Sequence, residues 1–137
     1  MEPARIRSSA AVAGTVLIVD QLAKAGAAHA ATPAHNPDLA FGVVGGPTLV
    51  LVFATIAVLG VFVAVLGRWA GRLGIPALIP ALIAGGVLGN ALDRARFGAV
   101  RDFIHTPFAI INLADIAVTV GIVTFAIAFG LRLRSTR

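Results

Sequence analysis

The chain has 137 residues, 58% of them hydrophobic and 12% charged, with a formal net charge of +5. A soluble domain carries roughly 25% charged residues, so this composition excludes a water-facing surface and places the chain among membrane proteins. There is no cysteine, which excludes disulfides, thiolate nucleophiles and Cys-based metal sites, and His29, His35 and His105 are scattered without ligand spacing; no cofactor or metal is expected.

Four apolar runs approach the roughly 20 residues that cross a bilayer. The first extends from Ser9 to Ala28, and the second, Pro47 to Leu66, contains no charge. The third extends from Ile75 to Leu92 and the fourth from Phe108 to Leu131. Gly and Ala are frequent in the first, third and fourth, and small residues let membrane helices approach closely. The expected fold is an all-α membrane protein: one domain over residues 1–137, with four transmembrane helices and short outer-face loops carrying the site. Pro107 is expected to start the fourth helix, because its missing N–H costs nothing there.

Arg5 and Arg7, Arg68 and Arg72, and Arg132, Arg134 and Arg137 fall on one side of a four-span chain. That side is expected to be cytoplasmic, with both termini on it. The basic residues read as topology signals, so no nucleic-acid partner is expected, and a monomer is. Arg94, Arg96 and Arg101 lie on the other side and want a separate reason. The N-terminal segment also resembles a secretory signal peptide, although Asp20, Gln21 and Lys24 are foreign to one.

Ionisable groups at membrane depth are costly, so they are usually functional or paired. Asp20 and Lys24, spaced i,i+4, can form an ion pair on one helix face; a structural pair and a direct substrate role both fit. Asn90 and Asp93 share a face near Arg94, behind Gly85, Gly86 and Gly89. They read either as a buried polar latch or, for Asn90 and Arg94, as donors to a peptide backbone. Asp102 lies in the outer loop and Asp115 about two turns into the expected fourth span. If the loop folds back, the two carboxylates share a proton, one serving as base on a water and the other as acid. Two separate structural aspartates are the competing reading. Asn36 reads as a turn former or a site residue.

Taken in order, these blocks resemble lipoprotein signal peptidase, the type II signal peptidase family of bacteria. They are Asp20-Gln21-x-x-Lys24, Asn36 with Ala40-Phe41-Gly42, Gly85-Gly86-x-x-Gly89-Asn90-x-x-Asp93-Arg94, Gly98-x-Val100-x-Asp102-Phe103 and Asn112-x-Ala114-Asp115. The resemblance implies a membrane aspartic endopeptidase in the bacterial cytoplasmic membrane, with its site near the outer face. It would cleave diacylglyceryl-modified prolipoproteins just before the lipidated cysteine, with membrane lipid as its surroundings. By motif, Asp102 and Asp115 match the catalytic pair. Asn36, Asn90, Arg94 and Asn112 match substrate-site residues, and Asp20, Lys24 and Asp93 match supports of that site.

The chain departs from the family pattern in four places, one of them a short loop of twelve residues between Asp102 and Asp115. Fifteen Ala-rich residues separate Asp20 from Asn36, where a longer, strand-forming segment is usual. Asn36-Pro37-Asp38-Leu39 replaces an Asn-Thr-Gly-Ala sequence, and Arg101 stands where an apolar residue is common. These departures keep a second reading open, a non-catalytic relative that binds a lipopeptide or inhibitor. A proton-coupled transporter is a third, disfavoured by the lack of a broken-helix pair.

Overall fold

In the computed structural model, residues 3–30, 33–37 and 47–135 are described. The Asp38-Leu39 and Ala40-Phe41-Gly42 parts of the loop motif lie outside them. The described chain forms helices α1 (Pro3–Ala30), α2 (Thr48–Leu73), α3 (Leu78–Phe97) and α4 (Leu113–Ser135). Between them lie short strands β1 (Ala34–Asn36), β2 (Val100–Asp102), β3 (Ile104–His105) and β4 (Ile110–Ile111).

Helix α3 is the axis of the bundle, packed against α1 on one side and α4 on the other, with α2 leaning on it. Its glycines make this possible. A Cβ on Gly85 would stand 2.6 Å from the Ala13 carbonyl oxygen, and one on Gly86 would stand 2.5 Å from the Ala114 carbonyl oxygen. Both obstacles are backbone, so neither can swing aside. We expect Gly86→Ala to destabilise the protein by about 1–3 kcal/mol, the usual cost of overpacking, read as a lower Tm in detergent; an unchanged Tm would contradict this packing.

By length and composition, α1, α2 and α4 are each apolar enough to cross a membrane. Helix α3 falls short by that measure, so three of the four expected transmembrane helices are supported as spans. Its last turns carry Asn90, Asp93, Arg94 and Arg96. That polarity is tolerated because Asp93 and Arg94 are buried against protein rather than lipid. By contrast Leu49, Val50, Phe53, Val58 and Val61 leave α2 with a large exposed apolar face, as expected for a helix solvated by lipid.

At one end of the bundle Ala70, Ile75 and Ile79 pack with Leu73, Phe125 and Phe129. Ser9 Oγ donates to the Ala77 carbonyl, and Arg132 Nη2 donates to the Gly74 carbonyl, each at 3.5 Å. These contacts bring the start of α1, the α2–α3 turn and the end of α4 together at one end of the bundle.

The other end adds short strands to this mostly helical fold. β1 pairs antiparallel with β2, with Ala34 opposite Asp102 and Asn36 opposite Val100. β3 pairs with β4, with Ile104 opposite Ile111. The Ala-rich stretch before Asn36 thus ends in a strand despite its composition, because β2 supplies the partner. Gly98 ends α3 in the left-handed region at φ 74, its amide donating to the Arg94 carbonyl; glycine adopts this conformation without a Cβ clash, and the chain turns directly into β2. Pro107 does not start a helix. It lies in the β3–β4 turn, where Thr106 Oγ1 donates to the Ala109 carbonyl at 2.6 Å and accepts from the Ala109 amide at 3.0 Å. Helix α4 begins later, at Leu113, because Asn112 is the better cap, and Asp115 therefore lies in its first turn rather than two turns in.

Candidate active site

The start of α4 organises the site. Asn112 Oδ1 accepts the Asp115 amide at 2.9 Å, and Asp115 Oδ2 accepts the Asn112 amide at 3.2 Å. This reciprocal pair is a capping box, which satisfies helix-end donors that have no partner within the helix. The next such donor, the Ala114 amide, goes to Asp20 Oδ1 at 2.9 Å. Asn112 has one group left, and its Nδ2 donates to Asp102 Oδ1 at 2.6 Å. A single fully buried amide therefore stands between the two aspartates.

Asp102 reaches this point on β2, held by β1 on one side. The Phe103 amide donates to the Ile111 carbonyl at 3.1 Å on the other. Its carboxyl is 3% exposed as part of its residue. Burial pushes its pKa above the usual carboxylate range, and the charge of Asp115 pushes the same way. Hydrogen bonds from Asn112 and Asn36 and the charge of Lys24 pull it down without cancelling the rise.

Both aspartates open onto a cavity of about 290 Å³. Asn36, Asn90 and Arg94 are among its other polar lining residues, and Val87, Val118 and Ile122 are among the apolar ones. Among the described residues no group of three or more His, Asp or Glu side chains is placed to hold a metal ion.

A second polar group lies behind the cavity. Lys24 Nζ is 2.8 Å from Asp20 Oδ2 and 3.3 Å from Asp93 Oδ2, and all three side chains are fully buried. Lys24 Nζ also donates to Asn90 Oδ1 at 3.0 Å, and Asn90 Nδ2 donates to Asp115 Oδ1 at 2.8 Å. The residues alone left Asn90 as either a buried latch or a substrate donor, and the family resemblance implied the substrate site. The structure shows it lining the cavity while linking Lys24 to Asp115. The expected Asp20–Lys24 pair is present, and the polar end of α3 is latched to α1 through Asp93.

Two members of this group carried no assigned role in the sequence reading. Gln21 Nε2 donates to Asp93 Oδ1 at 3.0 Å and to the Gly89 carbonyl at 3.3 Å. Arg101 Nη2 lies 2.8 Å from Asp93 Oδ1. Both stood beside motif aspartates, and a polar side chain next to a membrane carboxylate was the available signal.

Comparison with known proteins agrees with this architecture. A solved bacterial membrane enzyme, determined by the in meso method at 2.3 Å resolution, superposes with a TM-score of 0.77 over 96% of this chain and 93% of that one. The two are 24% identical, so this likeness speaks for the fold. The lipoprotein signal peptidase of Moorella thermoacetica is 38% identical over 93 residues, 67% of this chain and 62% of that protein. The lipoprotein signal peptidase of Methylorubrum extorquens is 41% identical over 85 residues, 57% of this chain and 47% of that protein. The matched stretches thus span less than two thirds of these relatives. A family model described as signal peptidase (SPase) II matches residues 12–131, most of the length, and the chain belongs to that family.

Proposed function

We propose that the protein is a membrane aspartic endopeptidase that removes the signal peptide from diacylglyceryl-modified prolipoproteins, cleaving before the lipidated cysteine. The observation that carries this reading is that Asp102 and Asp115, linked through the buried Asn112 amide, both line one cavity. The names of the related proteins supply the substrate class.

Asp102 and Asp115 share one proton, and burial together with the charge of Asp115 favours the protonated form of Asp102. Asp115, facing donors from Asn90 and Asn112, takes a proton from water. The resulting hydroxide attacks the scissile carbonyl carbon while Asp102 protonates the carbonyl oxygen. Asp115 then passes its proton to the cysteine nitrogen as the C–N bond breaks, and Asp102 takes back a proton from a hydroxyl of the intermediate as the carbonyl re-forms. The signal peptide leaves with a new carboxyl group, and the lipidated cysteine keeps the amine. Asn36, Asn90 and Arg94 hold the peptide backbone at the cavity wall. Asn112 lies behind the pair and serves binding by fixing it, and Asp20, Lys24 and Asp93 support the pair from within the bundle.

In this reading α3 crosses the bilayer with the other helices as part of a single four-helix domain. The arginine-rich end faces the cytoplasm and the strand end faces outward, where a diacylglyceryl group keeps the substrate anchored in the membrane. The enzyme acts as a monomer in the bacterial cytoplasmic membrane.

A gel-shift assay on diacylglyceryl-modified prolipoprotein, with purified protein in lipid, tests this across pH. Cleavage is expected. It should fall as pH rises and the pair loses its shared proton, at a pH above the ordinary carboxylate range because the Asp102 pKa is raised. Substrate that binds at every pH without shortening would instead support a non-catalytic relative.

A further inference from the structure

Arg101 immediately precedes Asp102 on β2, and successive strand residues face opposite sides. Its side chain therefore turns away from the cavity and into the bundle. There it grips Asp93 with its main-chain amide at 3.0 Å, Nε at 3.2 Å and Nη2 at 2.8 Å. Nη2 also donates to Gln21 Oε1 at 3.2 Å, and the guanidinium lies 4.3 Å from the centre of the Phe97 ring. The backbone just before Asp102 is thus fastened to α3 through one carboxylate, by a forked contact that sets orientation as well as distance.

The same residue acts on charge. Asp20 and Asp93 contribute two negative charges to the buried group, and Lys24 and Arg101 contribute two positive ones. With Arg101 forked onto Asp93, Lys24 sits closer to Asp20, at 2.8 Å, than to Asp93, at 3.3 Å. From there Lys24 holds Asn90 Oδ1. An amide whose oxygen is committed must turn its nitrogen the other way, and Asn90 Nδ2 meets Asp115.

We infer that Arg101 is a positioning residue for both aspartates. It sets Asp102 through the strand, and it sets Asp115 through Asp93, Lys24 and Asn90. The inference rests on the peptidase reading above. Arg101 touches neither the cavity nor the reacting atoms, so its effect falls on the chemical step rather than on substrate affinity.

Steady-state kinetics on lipidated substrate, with Tm measured alongside, test this in the full chain. Arg101→Met is expected to lower kcat about 10²-fold, the scale of a slightly misplaced catalytic group. KM should stay within about twofold, as when an interaction specific to the transition state is lost. Arg101→Lys should recover only part of kcat, since a point charge cannot reproduce the fork. The Arg101→Met, Asp93→Asn double variant should be no slower than the worse single one, because the two residues form one unit. A kcat for Arg101→Met close to wild type, a loss in KM alone, or multiplicative losses in the double variant would overturn the inference. If Arg101→Met does not fold, full wild-type kcat in Arg101→Lys overturns it. Wild-type protein that never cleaves would refute the peptidase reading itself, whereas active wild type with equally active Arg101 variants refutes the positioning role alone.

Discussion

Asp102→Asn and Asp115→Asn should each lower processing of a lipidated prolipoprotein by about 10²–10⁴-fold, the usual range for loss of a general acid or base. Neither change should unfold the protein. Asparagine at 102 keeps an oxygen to accept from Asn112 Nδ2. It replaces a buried carboxyl that already favours its neutral form, so Asp102→Asn should be about as stable as wild type. Asparagine at 115 still offers an oxygen to the Asn112 amide and so keeps the cap. Its new NH2 would face Asn90 Nδ2, donor against donor, and a modest loss of Tm is expected there. Purification yield, Tm and gel-shift activity together separate chemistry from folding. Full processing by either variant would remove the paired-carboxylate mechanism.

The largest effect on stability is expected from Lys24→Met. Lys24 is fully buried against Asp20 and Asp93 and also holds Asn90. Methionine fills similar volume but leaves two buried carboxylates with only Arg101 to offset them. Removing one partner of a buried ion pair costs about 3–5 kcal/mol, because the remaining charge keeps its desolvation penalty. Chemical unfolding in detergent should show a loss of this size, while Arg68→Met, at an exposed position, should stay within about 0.5 kcal/mol. Equal stability of the two variants would mean that the network does not hold α1 to α3. Activity should fall as well, since Asn90 loses the contact that fixes its amide.

Much of this arrangement was legible in the sequence where physics leaves few options. A charge-free apolar run can be little other than a membrane helix, and α2 is one. Asp20 and Lys24, one helical turn apart, had no water to face and found each other. Gly85 and Gly86 signalled close helix approach, and they are where α1 and α4 touch α3. The strand end was harder to read. Alanine carries little strand preference, so β1 could not be seen before β2 was placed beside it. Pro107 was expected to start the fourth helix, and the helix instead starts after Asn112. The choice came from Asp115, which completes a capping box only with Asn112. Arg101 looked like a stray outer-loop charge because its partner, Asp93, lies across a turn that Gly98 makes possible.

The central claim is that Asp102 and Asp115 cut a peptide bond next to a lipidated cysteine. Mass spectrometry of both products, after incubating purified protein in lipid with a diacylglyceryl-modified prolipoprotein, tests it most directly. The account predicts a signal peptide with a free carboxyl terminus and a mature protein whose first residue is the lipidated cysteine with a free amine, both absent with either asparagine variant. Intact substrate bound to wild-type protein, or the same products from the asparagine variants, would contradict it.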